Sequence, residues 1–72
     1  MNQAIAKVLL HARRNRKWVP VKYLVRHELH SSLLIKLEDR GIVRVMKNLE
    51  LGLCIRLTKE GEEVIESILN EG

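Results

Sequence analysis

Apolar positions recur along this chain with two different periods, and the changes of period mark its elements. Ala4, Ile5, Val8, Leu9 and Ala12 fall on one side of a 3.6-residue helix, with Asn2 as a suitable N-cap before them. Leu10 falls on the other side, either as a lone exposed leucine or as part of a second buried surface such as a dimer contact. Trp18 and Val19 precede Pro20 and are predicted extended, because proline disfavours the α region in its predecessor. Pro20 then suits the first turn of a second helix running to about His27 and burying Val21, Leu24 and Val25, with Leu29 in the turn beyond it. A third helix is predicted from His30 or Ser31 to Arg40, with Leu33, Leu34 and Leu37 inward. Gly41 stops it, since glycine tolerates the left-handed conformation that follows a helix end.

After Gly41 the apolar period shortens. Ile42 to Met46 and Leu53 to Leu57 read as two strands, with Leu53, Ile55 and Leu57 alternating against Cys54 and Arg56. Lys47-Asn48-Leu49-Glu50-Leu51-Gly52 joins them as a hairpin loop. Thr58 opens a last helix as its N-cap, with Glu60, Glu62 and Glu63 in or near the first turn, where carboxylates favour the positive pole. Val64, Ile65, Ile68 and Leu69 form its apolar stripe.

The outward side of the third helix carries Ser32, Ile35, Lys36 and Asp39, with Ser31 near its N-terminal end. An ordinary solvated face has no need of Ile35. Serine can donate to or accept from base edges, lysine can reach guanine or phosphate, and an outward isoleucine can touch a thymine methyl.

Charge sharpens this picture. The chain of 72 residues carries a formal net charge of +4. Residues 1–47 hold eleven Lys/Arg against three Asp/Glu, whereas residues 48–72 hold two against six. Such a division suits one face meant for a polyanion and another turned away from it, with plain solubility as the simpler use. The run Arg13-Arg14-Asn15-Arg16-Lys17 exceeds what the negative pole of the first helix needs, which makes these cations candidates for phosphate contact.

Length and composition set limits. The size is that of one domain, spanning 1–72, which buries only about 60% of the surface its unfolded form exposes. Apolar residues are 46% of the chain, and Trp18 and Tyr23 are the aromatics, so leucine, isoleucine and valine must build the core. One cysteine, Cys54, excludes an internal disulfide and suits a reducing cytosol, where it reads as a small buried hydrophobe. No run approaches the ~20 apolar residues of a membrane span. A secretory leader is not expected either, because Lys7 interrupts the first apolar run and the basic cluster follows it. The expectation is a soluble, cytoplasmic protein.

Catalytic and metal chemistry find little support. His27-Glu28-Leu29-His30 resembles a zinc-protease motif, but that motif needs histidines four apart and these are three apart. His11 and Cys54 are distant in sequence, so no compact ligand set is visible. With no glycine-rich phosphate loop and no serine supported by a base, neither an enzyme nor a cofactor is expected.

The stretch Leu37-Glu38-x-x-Gly41-Ile42-Val43, followed across the hairpin by Leu57-Thr58-x-x-Gly61, resembles the winged-helix family of DNA-binding regulators, especially its MarR-type and PadR-type members. The resemblance covers the second half of the chain by motif and the first half by element order. It implies an α+β winged helix-turn-helix in the order helix-strand-helix-helix-strand-strand-helix, with Trp18-Val19 as the short first strand. It further implies a regulator of transcription that binds double-stranded DNA with sequence preference, its third helix in the major groove and its hairpin wing alongside. Ser31, Ser32, Ile35 and Lys36 would meet bases, and Arg13, Arg14, Arg16, Lys17, Arg44, Lys47 and Arg56 are the phosphate candidates. Terminal helices commonly build the dimer in this family, which points to Leu10, Val64, Ile65, Ile68 and Leu69 in a homodimer. Two departures from the family pattern stand out. The turn Arg26-His27-Glu28-Leu29-His30 lacks the usual glycine, and the wing tip carries Leu49 and Leu51 where cations are usual. Those leucines, with Leu10, suit a protein-interaction module instead, and a nonspecific DNA-coating protein is a third reading.

Overall fold

Asn2 caps the first helix through its side-chain oxygen, which accepts from the Ile5 amide at 2.9 Å, and α1 runs over Gln3–Arg14. The computed structural model of the chain describes residues 2–70. Strand β1 (Val19–Pro20) follows, then two 3-10 turns, Val21–Tyr23 and Val25–His27, where the sequence pattern predicts an α-helix. The third predicted helix is α2 (Ser31–Asp39). Strands β2 (Val43–Asn48) and β3 (Gly52–Leu57) make the hairpin, and α3 (Lys59–Asn70) closes the order. Over the described residues the result is an α+β fold with three α-helices and a three-stranded antiparallel sheet in the order β1-β3-β2.

The replaced helix has a physical cause. The eight residues between a strand-paired Pro20 and a buried Leu29 are too few to repay helix nucleation. The spacing of Val21, Leu24 and Val25 fits an α-helix equally well, but only Leu24 is fully buried, while Val25 is 59% exposed.

One face of the sheet supports the core. Val43 pairs with Leu57 and Val45 with Ile55, and these residues pack with Ile5, Leu9, Leu24, Leu37 and Ile65. Because neighbours along a strand face opposite ways, Arg44↔Arg56 and Met46↔Cys54 belong to the other face. Helix α1 packs against both α3 and β3, which widens its buried stripe to include Ala6 and Leu10. Leu10 is therefore a core residue: it is not the lone exposed leucine, and the second buried surface it marks belongs to the chain's own core rather than to a dimer contact. Val8, expected inward, lies at the margin with 38% exposure, and Ala4 is exposed.

The hairpin closes as its composition requires. The Asn48 side chain accepts from the Glu50 and Leu51 amides at 2.8 and 2.9 Å, and Gly52 takes φ +76° where the second strand begins. Thr58 caps α3, its hydroxyl oxygen accepting from the Gly61 amide at 2.9 Å. The same hydroxyl donates to the Gly41 carbonyl, and the Thr58 amide donates to Ile42 O at 3.0 Å, tying α3 to the start of β2. No helix among the described residues is long and apolar enough to cross a membrane.

Candidate nucleic-acid interface

Helix α2 is held from both ends and from beneath. Glu28 adopts φ +70° ahead of it, supplying without glycine the left-handed residue that the turn requires. His30 is the N-cap, its Nδ1 accepting from the Leu33 amide at 3.3 Å. Beneath, Leu37 is buried and Leu33 and Leu34 are half-buried against the core. At the far end Gly41 takes φ +72°, and the Ile42 amide returns to Leu37 O at 2.9 Å. The side facing away from the core carries Ser31, Ser32, Ile35 and Lys36, all exposed, with Ile35 at 57%. This face is polar, with Lys36 as its cation, the exposed Asp39 at its far end and one outward aliphatic side chain, and it has the donors, acceptors and methyl groups that base edges complement.

The cations expected at phosphates separate into three groups. Arg13 is committed inside the molecule. Its Nε donates to Glu62 at 2.7 Å and another guanidinium nitrogen donates to Leu57 O at 2.8 Å, linking α1, β3 and α3. Arg13 is thus a structural residue, and its partner lies 49 residues away, beyond the reach of local sequence patterns. Arg14 makes a longer, more exposed pair with Glu66 at 3.4 Å.

Arg16, Lys17 and Lys47 form the second group, exposed and in no ion pair among the described residues. Arg16 holds φ +56° just past α1, and the Lys17 amide returns to Ala12 O at 2.8 Å. An arginine therefore stands in the helix stop where glycine would be unstrained. Lys47 lies on the core side of the sheet plane, opposite Leu53 near the loop.

Arg44 and Arg56 form the third group. They are direct cross-strand partners on the outer face and line a cavity of about 330 Å³ with Trp18, Thr58 and Lys59. The sheet thus divides Lys47 from Arg44 and Arg56, which the sequence pattern had joined as one phosphate-contacting set.

The residues expected at a dimer contact divide as well. Ile65 is fully buried and Leu10 7% exposed, so both belong to the chain's own core and neither can meet a second copy. Leu69 packs partly against the core, while Val64 and Ile68 remain 42% and 37% exposed. At the hairpin loop Leu49 is wholly exposed, with Leu51 at 40%, and Leu53 at 45% adds a third exposed leucine. The alternation holds, since Leu53 stands opposite Lys47 on the core side of the sheet, but both residues are exposed at this end of the hairpin.

Cys54 is a buried free thiol on the outer face of the sheet. The described residues contain no group of three His, Cys, Asp or Glu side chains placed to hold a metal ion. In comparisons with known proteins, no family model, curated protein or solved structure matches this chain.

Proposed function

We propose that the chain is a winged helix-turn-helix protein that binds double-stranded DNA and regulates transcription, with α2 in the major groove. In this reading the two 3-10 turns stand where the family has its second helix, and β2 and β3 form the wing. The observation that carries the proposal is the outward face of α2. Ser31, Ser32, Ile35 and Lys36 are exposed on a helix whose opposite side is anchored by Leu37. The strained Arg16 adds support, because an arginine kept where glycine would be unstrained invites a functional reason. Arg16, Lys17 and Lys47 are the phosphate contacts in this reading.

Gel-shift titrations over a range of salt concentrations test it. Each neutralised phosphate contributes a slope of about −0.9 in log K against log salt. Lys36→Ala relaxes sequence preference, whereas Arg16→Ala weakens all sequences alike and reduces the slope by about 1. An affinity that does not respond to salt rules the reading out.

A second reading draws on the exposed leucines of the hairpin loop, Leu49 and Leu51, which are poor phosphate ligands. On that reading the wing docks another protein. Leu49→Ser with Leu51→Ser then abolishes the protein contact, while on the DNA reading the pair leaves DNA affinity within about twofold, as for surface positions away from an interface hot spot.

A further inference from the structure

The corner where β3 runs into α3 gathers more positive charge than the fold itself uses. Arg44 and Arg56 face each other directly across the β2–β3 ladder, an arrangement in which like charges oppose strand pairing. Neither makes an ion pair among the described residues. Lys59, the first residue of α3, lines the same cavity of about 330 Å³. Arg13 also reaches this cavity, but Glu62 already neutralises it. The Nε of Arg56 is the one buried side-chain polar atom among the described residues without a hydrogen-bond partner. A buried donor that nothing accepts from is destabilising, the more so where the group is charged.

An oxyanion between the two guanidinium groups resolves each of these features. It cancels the cross-strand repulsion, accepts from Arg56 Nε and draws on Lys59. It also lies toward the positive pole of the twelve-residue helix that Thr58 caps. Of the acids near this corner, Glu62 is engaged by Arg13, and Glu60 lines an adjoining cavity of about 340 Å³ with Arg44, Thr58 and Lys59. Glu60 does not line the cavity that holds Arg56, and it makes no ion pair with Arg44 or Lys59 among the described residues.

We propose that Arg44, Arg56 and Lys59 form a binding site for a single phosphate group. Phosphate suits the site better than carboxylate, because its several oxygens can accept from two guanidinium forks and an ammonium approaching from different directions. The group can be a free phosphate or phosphomonoester, or one phosphate of a nucleic-acid backbone. The site does not depend on the DNA reading of α2, since it is built on the outer face of the sheet from other residues.

The test is a titration of the full chain with inorganic phosphate, and separately with a short random duplex, followed by NMR at the Arg56 Nε–H and the Lys59–Gly61 amides. Sodium chloride at matched ionic strength is the control. Saturable shifts at these groups with phosphate, absent with chloride, support a free phosphate as ligand. Shifts that appear only with the duplex support a backbone phosphate. In either case Arg56→Lys keeps the charge, loses the fork, and weakens binding at least about tenfold. Arg44→Gln, at an exposed position, does the same if the Arg56 variant fails to fold, and Lys7→Gln, at an exposed cation on α1, leaves the inorganic-phosphate titration unchanged. Shifts reproduced by chloride, shifts indifferent to Arg56→Lys and Arg44→Gln, or no shift with either ligand overturn the proposal.

Discussion

Single positions carry more of this fold than their size suggests, and Gly61 is the clearest. A Cβ there would lie 1.9 Å from the Ile42 carbonyl oxygen, a backbone atom that the Thr58 amide holds in place. The glycine therefore allows α3 to lie directly against the start of β2. Gly61→Ala is expected to cost about 3 kcal/mol, the upper range for forced overpacking, and a urea unfolding midpoint unchanged from wild type would refute this. The sequence showed Gly61 only as part of a family-like motif, because the partner backbone lies 19 residues earlier. Arg13 hid in the same way. Within the run Arg13 to Lys17 nothing local separates it from its neighbours, yet Arg13→Ala removes charge-assisted bonds to Glu62 and Leu57 O. Half-buried as that cluster is, the loss is expected at about 1–2 kcal/mol, seen as a lower thermal midpoint. On the DNA reading the salt slope of binding stays where it was, which distinguishes Arg13 from Arg16.

At the scale of elements, one device stops three segments. The Lys17, Leu29 and Ile42 amides each return to a carbonyl five residues back, with Arg16, Glu28 and Gly41 in the left-handed conformation before them. Only the third was legible as a stop, because only the third is glycine. The α-helices and the hairpin were legible because period 3.6 and period 2 differ plainly over the lengths involved. The segment from Val21 to His27 was not, because its apolar spacing satisfies both an α-helix and two 3-10 turns. Its geometry is fixed instead by β1 pairing at Pro20 and the burial of Leu29. Glu28 carries a specific consequence. A left-handed non-glycine residue costs about 1–2 kcal/mol, partly offset in a glycine variant by the greater freedom of its unfolded chain. Glu28→Gly is accordingly expected to stabilise the protein by about 0.5–1 kcal/mol, and chemical denaturation showing a loss would mean that the Glu28 side chain contributes more than its backbone strain costs. Arg16→Gly should stabilise similarly while weakening DNA binding at every sequence, a pairing of effects that a purely structural arginine cannot produce.

For the whole molecule, the open question of association rests on what the core leaves outside. Four of the five residues expected at a dimer contact share α3, but burial withdraws Ile65, half-withdraws Leu69, and takes Leu10 into α1's own packing. Val64 and Ile68 remain, one helical turn apart and both exposed. A homodimer through this ridge suits the proposed DNA function, because it would offer two copies of α2 to two half-sites on one duplex. Replacing both residues by glutamate, Val64→Glu with Ile68→Glu, adds two charges at exposed positions and leaves the fully buried core untouched. Sedimentation should then show the mass of the wild type fall to that of a single 8.4 kDa chain, with unfolding still cooperative. On DNA, the variant should bind a duplex carrying two half-sites no more tightly than one carrying a single half-site. A wild type already at the mass of one chain, with and without duplex, removes the homodimer altogether. A variant that stays dimeric moves the contact to another surface, for which the leucines of the hairpin loop are the next to substitute.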